Sequence, residues 1–169
     1  KNQKVIFNNK TFNYNELISE AYLNRVSLSS SGFYKTPKIN FDKKKFIGRP
    51  FYYFCYGAAV TEVLIDTLTG ETKLEQVDIL HDAGNPINES IEIGQIEGAF
   101  IQGMGWLTME EVKWDDKGKI LTFSPSTYKI PASNDTPKKF NVEILQNNLN
   151  FEDTINKSKT TGEPPLMLA

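Results

Sequence analysis

Apolar residues recur at Leu17, Ile18, Ala21, Tyr22 and Val26, the spacing of one helix face, and Asn13 or Asn15 stands where a helix cap belongs. The pattern predicts an amphipathic helix over 13–26. It then breaks down: Gly32, Pro37, Gly48 and Pro50 punctuate a stretch rich in Ser and Lys, so 27–50 reads as a long irregular connection. A connection of that length is functional or linking, and could run along another part of a larger protein. Aromatic and β-branched residues crowd 51–66, a Thr-Leu-Thr-Gly-Glu turn follows, and 72–82 completes a β-hairpin. Asn88 caps a predicted helix reaching about Val112, although Gly94, Gly98, Gly103 and Gly105 each cost it up to about 1 kcal/mol against alanine. A turn at 115–119 leads into a short strand near 120–123, a Pro-punctuated loop spans 124–137, and a further strand spans 140–145. From Asn147 the tail is polar until Gly162. Strands and helices mix without strict alternation, which makes the fold class α+β.

Composition narrows the class of protein. In 169 residues, 39% hydrophobic and 12% aromatic, there is material for a core and nothing of a disordered or low-complexity chain. No stretch approaches the roughly 20 apolar residues of a membrane span, and Lys1-Asn2-Gln3-Lys4 leads into no apolar signal core. With 19 basic and 21 acidic residues the net charge is -2, and only Arg25 and Arg49 are arginine, so no footprint for nucleic acid or an anionic membrane is present. The single cysteine, Cys55, builds neither an internal disulfide nor a zinc or iron–sulfur site, which suits a reducing cytoplasm. The start at Lys1 and the uncapped apolar stop at Leu166-Met167-Leu168-Ala169 lead us to expect a piece of a longer protein.

Two segments could carry chemistry. In 91–106 small residues recur along a helix, and Gly94 and Gly98 would let another element approach closely, while Gln102, flanked by Gly103 and Gly105, could offer its amide to a bulky ligand through backbone bared of side chains. In Gly162-Glu163-Pro164-Pro165 the prolines stiffen a carboxylate and restrict Glu163 toward extended backbone. In an apolar pocket that carboxylate would be a general base near neutral pH; otherwise it is a surface residue in a turn. His81, the sole histidine, has no nucleophilic motif around it and reads as a satisfied structural imidazole, and Cys55 as an inert buried thiol in a strand. Glu110-Glu111 and Asp115-Asp116 are adjacent pairs that do not face each other on a helix and read as its solvated end. A hydrolase using Glu97 or Glu110-Glu111 would rest on carboxylate count alone. No phosphate-binding loop, dinucleotide fingerprint or HExxH motif is present.

Taken in order, Ser31-Gly32-Phe33-Tyr34-Lys35-Thr36-Pro37, Gly57-Ala58-Ala59 with Glu62-Val63 and 65–70, the run from Gly94 to Gly103, Pro125-Ser126-Thr127-Tyr128-Lys129-Ile130-Pro131, and Gly162-Glu163-Pro164-Pro165 resemble the molybdenum-cofactor-binding part of the xanthine dehydrogenase and aldehyde oxidase family, most of all the molybdopterin-binding subunit of its bacterial xanthine dehydrogenases. The resemblance implies that Glu163 is the base taking a proton from a molybdenum-bound hydroxide, that Gln102, Gly103 and Gly162 lie against the molybdenum–molybdopterin cofactor, and that the substrate is a purine such as hypoxanthine or xanthine. Because a pterin dithiolene holds the metal, no protein ligand to it is expected. Iron–sulfur clusters, FAD and NAD are implied on other domains or subunits, making the rest of the molybdopterin-binding subunit and an iron–sulfur/FAD subunit the partners.

Glu89 stands where the family commonly has proline, and Thr160-Thr161 where it has Ala-Val. The family's other cofactor loops and its substrate-facing Glu, Arg and Phe residues precede this stretch. The chain, 1–169, is therefore expected to be a C-terminal fragment of the cofactor-binding domain, with 1–50 a helix and connection and 51–169 the core, and inactive by itself. The alternatives are a non-catalytic structural or interaction fragment, or an aldehyde oxidase-type relative.

Overall fold

A computed structural model describes residues 4–169, which form two compact units, one ending at Lys38 and one running from Ile39 to Ala169. In the first unit, strands β1 (Lys4–Phe7) and β2 (Lys10–Asn13) pair antiparallel through Asn8 and Asn9, both at positive φ (48° and 58°), the two-residue turn that asparagine tolerates best after glycine. Periodicity did not reveal this hairpin, which is only four residues per strand. Helix α1 (Tyr14–Leu23) follows at once, with the Asn13 side chain accepting from the Asn15 amide at 3.0 Å. It stops short of the expected Val26: the Asn24 side chain donates to the Glu20 carbonyl at 2.8 Å, and Arg25 turns left-handed at φ 55°. No α1 residue is buried.

The larger unit opens with a second hairpin that the irregular reading of 27–50 missed, β3 (Asn40–Asp42) against β4 (Ile47–Arg49). Asp42 closes its turn by accepting from the Lys44 and Lys45 amides, and Gly48, at φ 126°, is required because a Cβ there would collide with the Asn40 carbonyl. The main sheet has the order β5-β6-β7, with β5 (Gly57–Ile65) antiparallel to β6 (Thr72–His81) and β7 (Lys139–Ile144) parallel to it. The first arm of the hairpin is shorter than expected, since 51–56 lie outside the strand. Asp66 sets the connecting turn by accepting from the Leu68 and Thr69 amides, and Gly70 takes φ 78°.

A parallel strand needs a crossover, and α2 (Glu89–Thr108) lies within it, covering one face of the sheet. Period-two alternation sends Val77, Ile79, Phe140, Val142 and Ile144 to that face, where they meet Ile96, Phe100 and Met104 of α2; the rings of Phe100 and Phe140 are 5.5 Å apart. On the opposite face Asp78 accepts from Asn141 and Gln76 at 2.7 and 2.6 Å. The Asn88 carboxamide caps α2 through the Ile91 amide at 3.2 Å. The helix ends at Thr108, not Val112, because the Met109 and Glu110 amides both return to the Gly105 carbonyl and the Pro131 ring fills the space a Gly105 side chain would need. The strand expected at 120–123 does not form; one bridge between Trp114 and Ile120 and the Asp115 turn take its place. The polar tail is not solvated throughout, since Asn150, Lys159 and Thr161 are buried.

Candidate functional site

Helix α2 has two unlike sides. Ile96, Ala99, Phe100, Gly103 and Met104 are buried, while Ile91, Gly94, Gln95, Gly98, Gln102 and Trp106 form an exposed stripe. Nothing lies within 4 Å of where a Cβ on Gly94 or Gly98 would stand, so among the described residues these two glycines accommodate no packed neighbour and the stripe is open there. Gly103 behaves differently. A Cβ there would strike the Leu166 carbonyl, so this glycine lets the short 3-10 turn Pro164–Leu168 lie directly on the helix.

That turn begins at Glu163, which is exposed, with φ -118° and ψ -40°. The carboxylate therefore does not sit on extended backbone as the prolines had implied: the Leu166 amide donates to the Glu163 carbonyl at 3.1 Å and draws the residue into the turn. The residue before it, Gly162, passes the open stripe of α2 so closely that a Cβ would stand 2.9 Å from Gln95 Oε1. The amide next to the Gly162-Glu163 segment is thus Gln95. Gln102 is exposed on the same stripe, seven residues and so about 10 Å along the axis. No short-range pattern distinguishes Gln95, whose closeness to Gly162 depends on a segment 67 residues away.

Behind this segment lies a polar junction that composition did not reveal. The chain leaving β6 and the chain approaching Gly162 run side by side, with the Lys159 amide donating to the Ala83 carbonyl at 2.8 Å, the Asn85 amide to the Lys157 carbonyl at 3.1 Å, and a bridge between Gly84 and Ser158. The Lys159 ammonium is in a hydrogen-bonded ion pair with the Asp82 carboxylate, their side chains 6% and 0% exposed. The other Asp82 oxygen accepts from the Gly84 amide at 3.0 Å, and Lys159 Nζ lies 5.8 Å from the centre of the Tyr56 ring.

Next along the chain, the Thr160 carbonyl is approached by Cys55 Sγ at 3.3 Å and His81 Nε2 at 3.4 Å, while its amide donates to the Tyr53 hydroxyl at 3.1 Å. A carbonyl only accepts, so Nε2 carries the imidazole proton. His81 Nδ1 is buried and has no hydrogen-bond partner among the described residues, so the imidazole is only half satisfied, contrary to expectation. Burial pushes the His81 pKa down from its usual value near 6.5 and, with the Asp82 charge beside it, pushes the Cys55 thiol up. Cys55 is half-buried and lies before β5, not within a strand.

The remaining acids do not converge. Beyond the helix end, Glu110 accepts from the Tyr128 hydroxyl at 2.6 Å and Glu111 pairs with Lys113 at 3.1 Å. Asp115 serves its own turn, and Glu97 is half-buried on α2. No cluster of three His, Cys, Asp or Glu that could hold a metal ion exists among the described residues, and none of their helices is long and apolar enough to cross a membrane.

This architecture and sequence have known counterparts. Residues 1–137 match the molybdopterin cofactor-binding domain family, a range that stops before Glu163. The chain is 49% identical over 168 residues to the xanthine dehydrogenase of Oryza sativa subsp. japonica and 47% identical over 161 residues to the xanthine dehydrogenase/oxidase of Felis catus, covering 95% of this chain but only 12% of either relative. Among solved structures, the aldehyde oxidoreductase from Desulfovibrio desulfuricans superposes with a TM-score of 0.62 at 28% identity, over 73% of this chain and 13% of that one. The family match over four-fifths of the sequence and the 49% identity to a xanthine dehydrogenase agree: this chain belongs to the molybdopterin cofactor-binding domain family of xanthine dehydrogenases and their relatives.

Proposed function

We propose that this chain supplies one wall of the active site of a purine-oxidising molybdenum hydroxylase, with Glu163 as the general base and the open stripe of α2 as part of the cofactor cradle. The observation that carries the reading is the passage of Gly162 against Gln95, which brings a carboxylate-bearing turn to the exposed face of α2, beside the open space at Gly94 and Gly98.

The residues present fit a molybdopterin. The open space at Gly94 and Gly98 admits a flat ring system close to the backbone, and the exposed Gln95 and Gln102 amides each offer donors and an acceptor to its polar edge. A metal held by the cofactor's own sulfurs needs no His–Cys–carboxylate cluster from the protein. When bound, the cofactor supplies the redox centre for oxygen transfer to an electron-poor carbon. Glu163 then receives the proton released from the oxygen nucleophile, and the prolines after it hold the carboxylate in place. Because Glu163 is exposed in the larger unit, the water-poor surroundings a general base needs come from substrate, cofactor and neighbouring domains. Those domains, with an iron–sulfur/FAD subunit passing electrons to NAD, are the partners this reading requires, in the cytoplasm.

The test is Glu163→Gln in the full-length enzyme, assayed with xanthine. Turnover should fall by at least about a thousandfold with molybdenum content unchanged, as removal of a base acting only in the transition state requires. Retention of most of the activity would overturn the assignment.

A further inference from the structure

We propose that the buried Asp82–Lys159 ion pair is a positioning device that sets the Glu163 turn against α2; this rests on the reading of Glu163 as the base. The argument is topological. Asp82 stands at the end of β6, six residues before the Asn88 cap from which α2 and Gln95 depart. Lys159 stands four residues before Glu163. The ion pair therefore joins the two segments at the point where each leaves for the site, and whatever moves one segment relative to the other displaces the carboxylate from the helix stripe.

The surroundings leave the pair little freedom. Both side chains are almost wholly buried, the second Asp82 oxygen is taken by the Gly84 amide, and Gly84 lies so close to the Lys157 carbonyl that no side chain fits between. The next residue, Thr160, is held at both backbone groups, by Tyr53 on one side and by Cys55 and His81 on the other. Beyond Thr160, Gly162 lies on Gln95, and the 164–168 turn lies on Gly103 and, through Leu168, beside Gly57. The Glu163 carboxylate is thereby held between two anchors, the buried ion pair four residues before it and the packed turn after it. Both side chains of the ion pair are buried and turned to each other inside the junction, so both act through Glu163.

The experiment uses the full-length, cofactor-loaded enzyme. Lys159→Met alone strands a buried carboxylate, so the informative variant is the neutral pair Asp82→Asn/Lys159→Met, which keeps an acceptor for the Gly84 amide and abolishes the charge. It should retain its molybdenum, keep KM for xanthine within about twofold, and lose roughly 30-fold in kcat, within the hundredfold that a misplacement of about 1 Å can cost. Amide exchange in the peptide spanning 160–166 should accelerate. Lys159→Arg, which restores a cation, should recover at least about tenfold of the loss in kcat. A kcat within threefold of the parent, exchange at 160–166 that is unaltered, or loss of molybdenum in step with kcat would each overturn the proposal. Glu163→Gln run alongside separates the two readings: full activity there refutes the base, while unaltered exchange in the paired variant refutes the clamp.

Discussion

Along one side of α2, Ile96, Ala99, Phe100, Gly103 and Met104 are sealed against the sheet and the C-terminal turn, whereas along the other Ile91, Gly94, Gln95, Gly98, Gln102 and Trp106 face outward. Both sides carry glycine, yet for different reasons. Gly103 is small because the Leu166 backbone already occupies its side-chain space; Gly94 and Gly98 are small with nothing among the described residues to make them so. A glycine in a helix interior costs about 1 kcal/mol, and a sequence that bears this cost at an empty surface is keeping that surface clear. On the proposed reading, that cleared side is the one turned toward the cofactor.

That comparison can be broken in a graded series. Phe100→Ala removes a ring that is 1% exposed and packed on Phe140, and should destabilise the fold by about 3–5 kcal/mol, read from denaturant midpoints. Gly103→Ala should also destabilise, because overpacking of roughly 1–3 kcal/mol against an immovable carbonyl outweighs the helix propensity gained. Gly98→Ala should do the reverse. With open space around it, it stabilises by about 0.5–1 kcal/mol, and in the loaded enzyme it should lower molybdenum content. Were Gly98→Ala to destabilise, or leave cofactor occupancy untouched, the two sides would not differ as argued.

The smallest effect concerns the junction behind the site. Because burial lowers the folded pKa of His81, the folded chain binds fewer protons than the unfolded chain below the ordinary imidazole value near 6.5. Its contribution is complete above that pH and is lost as pH falls toward the lowered value, so stability should decline on acidification. His81→Met should flatten that decline, as thermal melting between pH 5 and 8 would register. A slope unchanged by the substitution would mean that His81 titrates alike in both states.

Much of the frame was legible from local chemistry. Asn88 caps α2 through a side-chain oxygen that needs only the next turn of its own helix, and the Asp66 to Gly70 turn is written by residues that satisfy their own backbone. Short-range cues fail where a distant segment intervenes. Val112 has helical spacing with the preceding turn, but Pro131 packs against Gly105 and the helix stops at Thr108. Ile120 to Phe123 has β-propensity and no partner strand beyond one bridge, so no sheet forms. Glu163 and the glycine stripe were visible as motifs, whereas the meeting of Gln95 with Gly162 needed the register of a turn 67 residues away, which periodicity does not encode.

By itself the sequence determined the α+β class, the helices α1 and α2, the β5–β6 hairpin, strand β7 and a carboxylate followed by two prolines, because each depends on residues within one or two turns of one another. Only the tertiary structure decided which glutamine meets Gly162, which glycines are filled and which are bare, and that Asp82 finds Lys159. Those are meetings of side chains far apart in the chain, and their outcome is set by burial: a charge taken out of water must find its partner wherever the fold delivers one.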